Sequence, residues 1–150
     1  MAWYVLQTAM GCVGALGFSI LFNIRGRKLI WSMLGGGLGW VVYLAGVCHG
    51  LDVFPALLCA TLAVALLSEV LARVLKAPVL MLLVPMLVPL IPGGDLYYMM
   101  SFFVRGDYES FGQRARLLLS EAGAIALGIL CAASLASLAV RLHERRGAGR

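Results

Sequence analysis

The segment Ala77–Val104, APVLMLLVPMLVPLIPGGDLYYMMSFFV, decides the fold of this chain. It is apolar almost throughout and is long enough to cross a bilayer as a helix. Pro89 and Pro92, followed at once by two glycines, remove backbone hydrogen bonds from the second half of that helix. Because hydrocarbon offers no replacement partners, a break at this depth must be packed in protein or line a watery cavity. We therefore predict a membrane-spanning helix that is broken near residues 92–95.

A polar and aromatic group follows the predicted break. Asp95 is an ionisable residue in an apolar segment, which is costly in lipid and makes it a functional candidate. In transporters, breaks of this kind often form the substrate site. The same Pro-Gly-Gly-Asp sequence is also typical of a turn that ends a span at the membrane surface. In that alternative, Leu96–Val104 is an interfacial or re-entrant piece, with Tyr97 and Tyr98 in the aromatic belt.

The composition indicates an integral membrane protein. Of 150 residues, 62% are hydrophobic and 13% are charged, whereas a soluble domain is about 45–50% apolar and about 25% charged. We therefore predict a single transmembrane domain over residues 1–150, embedded in the lipid bilayer. The net charge of +5 does not indicate nucleic-acid binding, because the basic residues lie between apolar segments.

Five apolar segments are predicted to span the membrane: residues 2–22, 29–48, 53–75, 77–104 and 117–140. A mixed-charge loop at 105–116 and a basic tail at 141–150 complete the chain. With five spans, most of the lysines and arginines fall on one side of the membrane. The positive-inside rule then places the N-terminus outside and the C-terminus in the cytoplasm. The predicted fold class is an all-α membrane protein whose fourth helix is broken at Pro-Gly-Gly.

Two further patterns concern packing and chemistry. Gly35 and Gly39 form a GxxxG pair on the second span, which favours close helix packing and is also compatible with a softened, mobile helix. The sequence contains no HExxH, GxSxG or P-loop, so we expect no enzymatic activity. The four cysteines are scattered singly, and we expect no metal site and no cofactor. Asp95 and Glu121 are the acidic groups expected in the outer half of the membrane.

Several motifs resemble the threonine/serine exporter family. They are Gly17–Asn23 (GFSILFN), the glycine cluster Gly35–Gly39, Pro89–Gly94 (PLIPGG) and the pair Tyr97 and Tyr98. More narrowly, the chain is similar to the small subunit of the split, two-component type. The resemblance implies a multi-pass exporter of small amino acids or dicarboxylates in the cytoplasmic (inner) membrane. It also implies a larger family subunit as the partner.

The break and the family motifs together define the candidate substrate-binding and pathway residues. These are Asn23, Pro89, Pro92, Gly93, Gly94, Asp95, Tyr97 and Tyr98, and Gly35 and Gly39 are candidates for helix packing. The family pattern has a small residue where this chain has Asp95. The resemblance therefore implies a substrate site at the Pro-Gly-Gly element and no general role for the Asp95 carboxylate.

The partner prediction rests on symmetry. Many transporters consist of two repeats around a central site, and five spans with one broken helix correspond to one such half. We expect the other half from the larger exporter-family subunit or from self-association, giving a hetero- or homo-oligomer. The rival hypothesis is a non-transporting membrane scaffold that stabilises or localises a partner. In that case, the glycine faces are packing seams and the proline segment is only a kink.

Overall fold

The computed structural model describes the backbone of residues 2–148 and the side chains of residues 3–139, and this part of the chain contains helices and no strand. The side chains of the predicted cytoplasmic tail, 141–150, lie outside the described residues. A short 3-10 turn, Val88–Leu90, joins α4 to α5. The helices are α1 Ala2–Leu21, α2 Arg27–Cys48, α3 Val53–Val74, α4 Val79–Leu87, α5 Gly93–Val104 and α6 Tyr108–Ala148.

Four helices are long and apolar enough to cross a membrane, and a bent pair makes a fifth candidate. The four are Trp3–Leu21, Arg27–Cys48, Val53–Val74 and Tyr108–Ala139. The pair consists of Val79–Leu90 and Gly93–Val104, whose axes differ by 56°. The predicted all-α membrane fold with a broken fourth helix is therefore confirmed. The orientation of the chain across the membrane stays a prediction.

The break lies at Ile91 and Pro92. Ile91 is extended (φ −67°, ψ 127°), the conformation that steric contact with a following proline favours. Pro92 lies directly before α5, where the helix does not need a hydrogen bond from its N–H, so a proline is tolerated there. The break thus lies at the start of the predicted position near residues 92–95. Gly93, Gly94 and Asp95 form the first turn of α5, because the N–H groups of a first turn need no intrahelical partner.

The predicted loop at 105–116 is also wrong over most of its length. The turn is short and has Gly106 at its centre, where a φ of +77° suits a residue without a Cβ. α6 begins at Tyr108, so the helix starts nine residues before the predicted span 117–140. Asp107 caps it by accepting a hydrogen bond of 3.1 Å from the Ser110 backbone N–H. Three of the charged residues that suggested a loop, Glu109, Arg114 and Arg116, are good helix formers and lie in the first turns of α6.

The glycine face of α2 lies at the centre of the bundle. A Cβ added to Gly35 would lie 2.5 Å from Met86 Sδ of α4, and one added to Gly39 would lie 2.7 Å from Val64 Cγ2 of α3. The absence of side chains therefore lets α4 and α3 approach α2 closely. α1 and α2 are also joined by a buried hydrogen bond of 2.7 Å between the hydroxyls of Ser19 and Ser32.

The two halves of the broken span have different surroundings. α4 packs against α2 and α3, and its Leu82 and Met86 are fully buried. By contrast, α5 packs against α6 and contains no buried residue. The break therefore connects a helix inside the bundle to a helix at its edge.

Candidate functional site

A cavity of about 220 Å³ opens at the break, and we call it the break cavity. The residues of the break, from Pro89 to Asp95, form one wall. The opposite walls come from the second half of α2, the first turns of α3 and the first half of α6. Those three helices contribute Trp40, Tyr43, Val53, Leu57 and Glu121.

The structure brings five of the predicted pathway residues together at this cavity: Pro89, Pro92, Gly93, Gly94 and Asp95. A Cβ added to Gly93 or Gly94 would meet no atom within 4 Å outside the immediate chain. These two glycines therefore leave open space beside the backbone of α5, where a bound molecule can approach the first-turn N–H groups.

The other predicted pathway residues lie elsewhere. Tyr97 and Tyr98 are exposed on α5 and are not among the residues that line the break cavity. Asn23 is in the turn between α1 and α2, at the other end of α2, with a left-handed φ of 57°. Its Oδ1 accepts a hydrogen bond of 2.9 Å from Arg25 Nε. In this structure, Asn23 thus shapes a turn and does not contact the break.

Asp95 is paired with a cation from α6. Arg114 Nη1 donates to Asp95 Oδ1 over 2.5 Å, and the guanidinium also lies over the ring of Tyr98, 5.8 Å from its centroid. The Arg114 side chain is 43% exposed on the surface of this chain, so the ion pair lies at the edge of the bundle. There a charged substrate can offer either partner a replacement.

Glu121 is the second acidic group at the cavity. It is only 7% exposed, and its Oε2 has no hydrogen-bond partner among the described residues. The indole N–H of Trp40 likewise has no hydrogen-bond partner among the described residues. Buried polar groups are nearly always hydrogen-bonded, because leaving one unpaired costs about 1–3 kcal/mol. Two unpaired groups on the walls of one cavity can be satisfied by water or by a bound polar solute.

Sequence reasoning left Glu121, Arg114, Trp40 and Tyr43 out of the candidate site. Glu121 could have been identified by the argument used for Asp95, since it is also an ionisable residue inside an apolar segment. Arg114 fell in the predicted loop, which hid its position on a helix facing α5. No sequence signal distinguishes Trp40 and Tyr43 from the other aromatic residues of the membrane spans.

The arrangement suits a small charged solute. The cavity is lined by two carboxyl groups, by the indole of Trp40 and by the open N-terminal turn of a helix, which attracts anions. The guanidinium of Arg114 is not part of the lining, but it contacts the cavity through its ion pair with Asp95. Its volume is below the 300–1,000 Å³ or so that is typical of pockets for drug-sized ligands. In the part of the chain that the structure describes, no group of three or more histidine, cysteine or acidic residues lies close enough to hold a metal ion.

A polar, incompletely paired cavity at the break of a membrane-spanning helix is the arrangement found at the substrate sites of membrane transporters. The comparison with known families agrees. The family model described as "Threonine/Serine exporter, ThrE" matches residues 7–135, most of the chain, and the chain belongs to this family. It is a multi-pass membrane protein of the exporter type, in a family of transporters rather than enzymes. No solved structure matches it.

Proposed function

We propose that this chain is the small subunit of a two-component exporter in the cytoplasmic membrane. Together with a larger family subunit, it moves threonine or serine out of the cell. The observation that carries the proposal is the pair of unpaired polar groups, Glu121 Oε2 and Trp40 Nε1, at the break cavity. The family match supports the direction and the substrate class.

The charges of the cavity favour a zwitterion over a dicarboxylate. An amino acid presents an ammonium group to Asp95 or Glu121, and a carboxylate to Arg114 or to the N-terminal turn of α5. A dicarboxylate such as succinate also finds Arg114 and the helix terminus. Its second carboxylate, however, meets two acidic side chains of like charge, which disfavours binding. We therefore expect threonine and serine to be better substrates than succinate.

The partner is proposed from the shape of the bundle. The described residues contain one broken span, whereas many transporters place their site between two related halves. α5, which carries Asp95, has no buried residue in this chain. A larger family subunit packed on that side completes the walls of the cavity. Basic residues on one side of the predicted spans support an outside N-terminus, which places the break cavity in the outer half of the membrane.

The proposal is tested by efflux of preloaded, labelled threonine, serine and succinate from cells. Three strains are compared, expressing this chain alone, the larger subunit alone, or both. Efflux that requires both chains, with threonine or serine faster than succinate, supports the proposal. Efflux from the larger subunit alone, unchanged by this chain, instead indicates the rival scaffold function.

A further inference from the structure

A second cavity, of about 330 Å³, adjoins the break cavity on its α1 side, and we call it the α1 cavity. One wall is the first half of α1, including Gln7 and Met10. The other wall consists of Trp40 and Pro89, which also line the break cavity. The ring of Trp40 and the ring of Pro89 therefore form the partition between two neighbouring chambers.

The unpaired polar atoms of the protein concentrate at these two chambers. Among the described side chains, buried polar atoms without a hydrogen-bond partner occur on Gln7, Trp40, Thr61 and Glu121. Three of these four residues line one or both cavities, and the unpaired atom of Gln7 is Oε1. An apolar membrane helix has no packing reason to carry an unpaired amide here, because a buried polar group without a partner is costly. Water or a polar ligand in the two chambers would supply the missing hydrogen bonds.

The partition is closely packed against α1. A Cβ added to Gly11 would lie 3.3 Å from Trp40 Cβ, and one added to Gly14 would lie 3.9 Å from Pro89 Cγ. The α1 backbone thus lies directly beside both residues of the partition. Of the two residues in the partition, only Trp40 has a side chain that turns about single bonds, because the ring of Pro89 is closed onto its own backbone.

We propose that the α1 cavity is a second binding chamber on the same transport passage, with Gln7 as a substrate-contacting residue and Trp40 as the gate between the chambers. The Gln7 Oε1 accepts a hydrogen bond from the ammonium or hydroxyl group of a small hydroxy-amino acid. The Trp40 indole N–H donates to its carboxylate. This inference rests on the proposed function, and it adds a site on α1 that lies outside the proline-glycine element.

The first test uses uptake of labelled threonine into inside-out vesicles that contain this chain and the larger subunit. In this geometry, uptake corresponds to export. Gln7→Met keeps the size of the side chain and removes the amide, so the half-saturating threonine concentration rises about tenfold, the equivalent of one lost hydrogen bond to a charged group. The matched control is Thr8→Val, since Thr8 is the adjacent residue and its hydroxyl bonds to Tyr4 O. This variant leaves the half-saturating concentration unchanged.

A second pair of variants addresses the gate. Trp40→Phe removes the indole N–H and retains an aromatic ring, and it also raises the half-saturating concentration about tenfold. Trp31→Phe makes the same chemical change on α2 away from both cavities and has no effect. Wild-type half-saturation in both Gln7→Met and Trp40→Phe, with uptake strongly reduced in Asp95→Asn, overturns the inference and leaves the proposed function and the break cavity standing. Absence of threonine uptake in vesicles that contain the two unaltered chains overturns the proposed function itself.

The third test measures substrate binding independently of transport, as protection of an introduced cysteine from labelling. The four native cysteines, all free, are replaced by alanine, and Gln7→Cys or Leu51→Cys is introduced. Leu51 is exposed in the turn between α2 and α3 and is not among the residues that line either cavity. A water-soluble, membrane-impermeant thiol reagent added to intact cells labels Gln7→Cys, and saturating threonine slows this labelling about tenfold, whereas the rate at Leu51→Cys does not respond to threonine. Failure to label Gln7→Cys, or labelling that threonine and serine leave unchanged, contradicts the second chamber.

Discussion

The two glycine-rich stretches of this chain have opposite surroundings. At Gly35–Gly39, a Cβ added to any of the four glycines would collide with a neighbouring helix. The colliding groups are Met86 of α4, Ala15 and Cys12 of α1, and Val64 of α3. At Gly93 and Gly94, an added Cβ would meet nothing within 4 Å. The first stretch brings helices together, and the second leaves a helix terminus open.

Because of this difference, we expect substitutions in the first stretch to change stability and substitutions in the second stretch to change transport. Substitutions in the packed stretch displace neighbouring side chains or, at Gly36, the α1 backbone, so they change the amount of folded protein before they change transport. Substitutions at the open stretch fill a cavity and leave the rest of the bundle in place. The same residue type therefore has two functions in this chain, and its neighbours in three dimensions determine which one applies.

The largest expected effect is on folding, in the packed stretch. An alanine at Gly36 brings its Cβ against Ala15 Cβ, an atom that cannot move without its backbone. Gly36→Ala is expected to destabilise the protein by about 1–3 kcal/mol, the usual cost of overpacking. The measurement is the melting temperature in detergent, followed by size-exclusion chromatography. Gly93→Ala is the matched control and stays within about 0.5 kcal/mol of wild type. Equal melting temperatures for the two variants would remove the distinction between the stretches.

A smaller set of effects is expected on flux alone. Glu121→Gln and Asp95→Asn retain the shape of each side chain and remove one acidic group from the break cavity. Loss of a charge-assisted contact to the substrate ammonium lowers threonine efflux about tenfold or more, with an unchanged melting temperature. Glu109→Gln makes the same change on an exposed turn of α6 and leaves efflux at the wild-type rate. Normal efflux in both cavity variants would show that neither carboxyl group contacts the substrate.

The smallest expected effect concerns the cap of α6. Hydrogen bonds from the side chain and the backbone of Ser110 lower the pKa of Asp107 below its ordinary value of 3.8. The cap therefore stabilises α6 at every pH above about 3.8 and loses its effect as the pH falls below that value through the lower pKa of the folded state. Asp107→Ala should increase amide exchange in the first turn of α6 at pH 7. If the amide exchange rates of Asp107→Ala and wild type differed by as much well below the pKa of Asp107 in the folded protein, the ionised cap would not be the cause of the difference.

Much of the fold could be predicted from the sequence, because lipid imposes strict rules on apolar segments and on backbone hydrogen bonds. Apolar length located the spans, and Pro89 and Pro92 located the break to within a few residues. The start of α6 was missed because charge was interpreted as a loop signal, although Asp107 and the residues after it favour a helix. That error also concealed Arg114, the partner of Asp95.

The candidate site could be predicted only on the segment that contains the break. Residues 89–95 form one wall of the break cavity, and a local sequence pattern marks them. Glu121, Trp40 and Gln7 come from three other helices, and their relation to the break depends on how those helices pack. Packing of this kind is set by side-chain contacts far apart in the sequence, such as Gly35 against Met86, which no local pattern specifies.

The central claim is that the open glycines at the break border the substrate. The most direct test is the rate of threonine efflux from cells that express the Gly93→Leu, Gly94→Leu double variant with the larger subunit, at matched amounts of membrane-inserted protein. Leucine side chains fill the space beside the first turn of α5, so we predict that efflux is abolished while the melting temperature in detergent stays at the wild-type value. Efflux at the wild-type rate would contradict this account.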